Sequence, residues 1–128
     1  MKALFTSLFF ILFSSFLHGQ TIRLRAKFYE TNIGKTKTQE VSDRLIIIDL
    51  NEKKIKIYGN PTETFEIYET FEIDENTTMF PSIDKDGLEY AIELYSNEEF
   101  VYVTIQVPEE NEFGTFDSRM YVCKLIQN

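Results

Sequence analysis

Histidine, cysteine and tryptophan are nearly missing from this sequence. Its single histidine is His18 and its single cysteine is Cys123; tryptophan is absent. His18 falls in an N-terminal segment that reads as a leader, so the remainder of the chain has no imidazole. That argues against Ser-His-Asp and Cys-His nucleophiles, imidazole zinc sites and histidine acid–base chemistry. One cysteine forms no internal disulfide. Cys123 lies in a strand-like run (Val122, Cys123, Lys124, Leu125), which places it in a core as a small hydrophobe and places Lys124 on the opposite face. A reactive thiol needs an electropositive setting, which these neighbours do not provide.

Basic residues are also in deficit. The chain of 128 residues carries 13 Lys and Arg against 21 Asp and Glu, for a formal net charge of −8. Only Lys2 is charged within residues 1–19, so loss of that segment makes the remainder more acidic still. Acidic surfaces repel phosphate backbones and anionic lipid heads. Nucleic acid and membrane surfaces are therefore not the expected partners.

The N-terminus has its own pattern. Lys2 precedes a mostly apolar, uncharged run from Ala3 to Leu17, followed by His18-Gly19-Gln20. This is the order of a secretory signal peptide with a small residue at the cleavage site. The run is shorter than the ~20 apolar residues of a membrane span. No cysteine sits near Gly19 to carry a lipid. We expect a signal peptide over residues 1–19, a single domain over 20–128, and a periplasmic or extracellular location.

Beyond the leader the period is two. Lys54-Ile55-Lys56-Ile57-Tyr58, Glu89-Tyr90-Ala91-Ile92-Glu93-Leu94 and Phe100 to Val107 all alternate. Turn signals recur at Asn51-Glu52-Lys53, Gly59-Asn60-Pro61, Asp74-Glu75-Asn76, Asp84-Lys85-Asp86-Gly87 and Ser96-Asn97-Glu98. This spacing predicts eight strands, at about 21–30, 43–50, 53–58, 63–73, 77–83, 88–95, 99–107 and 116–126. Polar loops are expected over 32–42 and 108–114. The fold class is all-β: an eight-stranded antiparallel up-and-down barrel, with a β-sandwich as the alternative. The run Leu45-Ile46-Ile47-Ile48 looks buried on both faces, which places it under the 32–42 loop or against another subunit.

Three stretches together resemble short, uncharacterised exported proteins of Bacteroidota. They are Arg44 to Asp49 with its turn into Lys54 to Tyr58, the Asp84 to Gly87 turn with Glu89 to Tyr95, and Tyr102 to Ile105 with Met120-Tyr121-Val122. The leader ending Leu17-His18-Gly19-Gln20 is similar to leaders of that phylum. The resemblance covers most of residues 40–126. It implies a small lipocalin-like (calycin-like) barrel without an assigned activity, and no family active site is carried over with it.

Carboxylates are plentiful, but no pair declares itself. Glu89 and Glu93 share a strand face and stand ~13 Å apart by strand rise, too far to flank one bond. Asp84 and Asp86 sit near Gly87 as in a calcium loop, yet positions 5 and 12 of that loop fall on Leu88 and Tyr95. A hairpin turn accounts for them, and neither a metal nor a cofactor is expected. The aromatic residues are the one excess. Tyr58, Tyr68, Tyr95 and Tyr102 fall opposite the aliphatic residues of their strands. They form a candidate ligand or partner face, or else shield the outer wall by cross-strand pairing. The functional expectation is a non-enzymatic module that binds a small ligand, in one version an apolar one carried in the barrel, or a protein. A carboxylate-dependent hydrolase is the alternative.

Overall fold

Alternating side chains make extended backbone two-faced, and such strands must put one face on a core. A computed structural model describes residues 21–126. The expected signal peptide, residues 1–19, lies outside them. The described chain is built from ten strands and no helix: β1 (Thr21–Ile33), β2 (Thr36–Val41), β3 (Leu45–Asp49), β4 (Lys54–Ile57), β5 (Glu63–Ile67), β6 (Phe71–Asp74), β7 (Thr77–Ile83), β8 (Glu89–Ser96), β9 (Val101–Glu110) and β10 (Phe116–Leu125).

Eight of these close a ring. The order runs β10, β9, β8, β7, β5, β4, β3, β1, and β1 pairs back to β10. Every pairing in it is antiparallel. The barrel predicted from the alternation is present, and the sandwich is not. Inward positions carry Ile22, Leu24, Ile46, Ile48, Ile55, Ile57, Phe65, Phe80, Ile92, Leu94, Val103 and Ile105, all buried. They fill the lumen with branched and aromatic side chains, as a barrel of this size allows.

Two strands lie outside the ring. Segment 32–42, expected as a polar loop, instead completes a hairpin: β2 pairs with β1 from Phe28 to Ile33, and all six of its residues are exposed. Its Thr- and Lys-rich composition follows from that double exposure; with no core on either face, apolar alternation is not required. The expected strand 63–73 is two strands. The ring continues from β5 to β7 through Glu66–Ile83 and Ile67–Ser82, while β6 folds back onto the start of β7. The loop expected at 108–114 is shorter, because β9 runs on to Glu110 and pairs there with Phe116.

The extensions of β1–β2 and β9–β10 are clasped at their tips. Gly34 takes φ 62° in the two-residue turn, a conformation other side chains resist. Its N–H donates to Asp117 at 2.9 Å, and Asn111 donates to the same carboxylate at 2.9 Å. These two bonds, the Gly34 one foremost, hold the Asp117 pKa below its usual value.

The run at β3 divides by face. Ile46 and Ile48 are fully buried, whereas Leu45 and Ile47 point outward and are half-buried. Ile47 lies in register with Arg23 on one side and Lys56 on the other. Long basic side chains flank aliphatic surface in this way while keeping their charged ends in water. Neither the 32–42 segment nor a second subunit is needed to account for the run.

Cys123 is fully buried, and burial pushes its thiol from the ordinary value of 9.0 to about 12. The native state therefore keeps a proton that the unfolded chain releases near pH 9. Stability is expected to hold below pH 9 and to fall above it, by up to about 1.4 kcal/mol per pH unit from this group. Urea melts from pH 7 to 11 check this, with a shallower decline expected in Cys123→Ala. A thiol reagent at pH 8 should label the protein only in denaturant.

Candidate functional site

A strand bulge delivers the site. Along β1 the inward residues are Ile22, Leu24 and Ala26. Lys27 is then bulged out against β10, so that Ala26 faces Cys123, Phe28 faces Val122 and Tyr29 faces Tyr121. One extra residue inverts the phase of a strand. Tyr29 thereby joins Tyr121 on the inner face, their ring centroids 4.7 Å apart. At this bulge β1 exchanges its partner β2 for β3, with Ser42 N–H donating to the Lys27 carbonyl and Ala26 N–H to that of Arg44. Arg44 is thus held at the rim.

Across the lumen stands Glu63, in the inward phase of β5 with Phe65 and Ile67. Arg119 is in the inward phase of β10 with Tyr121 and Cys123. In a ring of eight, β5 and β10 are diametrically opposite. Arg119 Nη1 donates to Glu63 Oε1 at 2.8 Å, so an ion pair spans the barrel. Burial lowers the Arg119 pKa, but the hydrogen bond and charge of Glu63 outweigh it, and the net shift is upward.

Above this bridge opens a cavity of about 520 Å³, lined by Tyr29, Arg44, Pro61, Thr62, Glu63, Thr64, Phe65, Asp84, Lys85, Asp86, Arg119 and Tyr121. The Asp84 to Gly87 turn forms one lip and is the expected hairpin. Asp84 accepts from the N–H groups of Asp86 at 2.9 Å and Leu88 at 3.0 Å, and from the Tyr90 hydroxyl at 3.3 Å. Burial, then the charge of Asp84, raises the Tyr90 pKa. The Tyr90 ring meets Phe65 edge-on at 5.4 Å. The Gly59 to Thr62 loop, with a cis Asn60–Pro61 peptide, forms another lip. Arg44 packs so closely on it that a Cβ at Gly59 would lie 2.8 Å from Nη1.

The four tyrosines expected as a face lie outside the barrel and do not form one surface. Tyr95 and Tyr102 are cross-strand partners on β8 and β9, ring centroids 5.8 Å apart. Phe100 lies beside Tyr102, and Lys124 stands over the Phe100 ring. Tyr58, which follows β4, and Tyr68, which follows β5, are exposed at opposite ends of the β4–β5 pair. The tyrosines of the cavity, Tyr29 and Tyr121, were not singled out by the sequence, nor was Tyr90 beside it. A signal was present: Arg119 shares its alternation phase with Tyr121 and Cys123, and Glu63 with Phe65 and Ile67. A charge on the buried face of a strand marks a polar feature inside. Among the described residues, no group of three or more His, Cys, Asp or Glu is placed to hold a metal ion.

No family model matches the chain, and no curated protein matches it. Among solved structures it is similar to a mutant of the vaccine antigen transferrin binding protein B from Haemophilus parasuis Hp5, with a TM-score of 0.43 and 10% identity over 86% of this chain and 27% of that one.

The bridge is the feature most exposed to substitution. Both side chains are largely sheltered, so Glu63→Gln leaves Arg119 without its counter-charge. A loss of about 1–3 kcal/mol in urea unfolding is expected, the size of a charge-assisted hydrogen bond.

Proposed function

We propose that this chain is an exported, non-catalytic binding module that takes a small organic ligand at the mouth of its barrel. The observation carrying this reading is the 520 Å³ cavity above a filled lumen. Its volume lies in the range of small-molecule sites, and its walls combine aromatic rings with a few convergent polar groups. The leader-like segment before residue 20 supports export.

The filled lumen argues against a carrier that encloses an apolar ligand within the barrel. A carboxylate-dependent hydrolase of the glycosidase kind needs two carboxyls across one bond, one of them able to donate a proton. Glu63 is engaged by Arg119, and Asp84 is committed to its turn and to Tyr90. Their commitments favour structural roles.

Native mass spectrometry of the processed protein, recovered from the cells that export it, tests the reading. The expected result is a small-molecule adduct lost on denaturation, whose return shifts the amides of 59–64, 84–88 and 119–121. Shifts confined to the outer wall would refute it. A second reading, a protein partner, is favoured by the half-exposed Tyr95–Tyr102 pair with Phe100 beside it. Tyr102→Lys should abolish such an interaction in a pull-down and leave ligand binding at the mouth intact.

A further inference from the structure

We propose that the mouth cavity selects a flat, apolar carboxylate, with Arg44 as counter-ion and the Tyr121 and Tyr29 hydroxyls as further donors. This rests on the reading of the cavity as a small-molecule site and specifies its ligand.

The lining carries three cations, Arg44, Lys85 and Arg119, against three carboxylates, Glu63, Asp84 and Asp86, so what each is bound to decides the sign. Arg119 and Glu63 neutralise each other at 2.8 Å. Asp84 keeps its charge, but its oxygens accept from its own turn and from Tyr90, and Lys85 and Asp86 carry opposite charges at the exposed tip. Arg44 remains. It is half-buried, and its guanidinium has no hydrogen bond or ion pair among the described residues. Desolvating a cation without a counter-charge is unfavourable, so an anion has more to gain here than a neutral group. With a lining of zero net charge and a single unpaired guanidinium, a monoanion is better suited than a phosphate dianion.

The neighbouring groups agree. Tyr121 is 2% exposed and lines the cavity, and its hydroxyl makes no hydrogen bond among the described residues. Burial pushes its pKa to about 12, with the charges of Arg119 and Arg44 opposing, so at neutral pH it stays a donor. The hydroxyl of Tyr29, whose tilted ring lies 4.7 Å from that of Tyr121, likewise has no hydrogen-bond partner among the described residues. A guanidinium and two phenol hydroxyls, donors without a partner among the described residues, favour an acceptor. An ionised carboxylate offers only acceptors and matches the guanidinium fork. Phe65, Pro61 and the Tyr29 ring supply flat walls for an apolar body. Gly59 lets the guanidinium settle against the loop and thereby fixes its position.

The test is calorimetric titration with 2-naphthoate and its uncharged isostere 2-naphthamide, with amide shifts to locate binding. Naphthoate should bind at the mouth about tenfold or more tighter than the amide, the scale of one charge-assisted hydrogen bond. Arg44→Gln should remove most of the preference of the mouth for naphthoate over the amide, and Tyr121→Phe should weaken naphthoate severalfold. Gly59→Ala, which displaces the guanidinium but keeps its charge, should do the same. Thermal melts confirm that each variant is folded. Equal affinity for naphthoate and naphthamide at the mouth overturns the carboxylate assignment and leaves the small-molecule site standing. Undiminished binding in Arg44→Gln overturns it too, as does displacement of naphthoate by equimolar inorganic phosphate. Absence of any shift at the mouth with either compound overturns both readings.

Discussion

The ladder between β1 and β10 is the constraint on which the remaining structure depends. It joins the two ends of the described chain, from Leu24 opposite Leu125 to Asn32 opposite Ser118. Its closure converts a curved sheet into a ring and gives the alternating side chains a shared interior. Until it forms, the inward faces of β1 and β10 border water, and each presents an unpaired edge. The loop it closes is nearly the whole described chain. Closure entropy grows only slowly with loop length, so the burial that follows can offset it.

The ring also sets the geometry of the mouth. Strands distant in sequence meet there. β5 and β10 meet across the lumen because eight strands place them opposite, and the Arg119–Glu63 pair is the result. Tyr29 meets Tyr121 because the Lys27 bulge inverts the phase of β1 where its partner changes. Both events occur at one level of the barrel, where aliphatic packing gives way to polar groups.

This change of lining links the fold to the proposed function. Below the bridge, aliphatic groups and the Cys123 thiol pack without charge. At the bridge a charge pair is sheltered and satisfied. Above it, donors outnumber their partners. Stability alone would favour pairing those donors within the chain, since unmet polar groups cost free energy when shielded from water. Their convergence on one cavity is what distinguishes this mouth from a mere end of a barrel.

Much of the fold was legible from the chain itself. Two-residue alternation, apolar runs and turn signals together marked all eight barrel strands, and Asp84 to Gly87 was recognisable as a turn, because face alternation and turn chemistry are local properties. The period placed Cys123 inside and Tyr58, Tyr95 and Tyr102 outside. It missed β2 because a strand exposed on both faces needs no alternation, and it joined β5 to β6 because nothing local records where a strand leaves the ring. The site was beyond its reach for the same reason. Arg44, Tyr29, Glu63 and Tyr121 lie far apart along the chain, and only ring closure and a one-residue bulge bring them around a common cavity. A local period fixes which way a side chain points, but not what it will face.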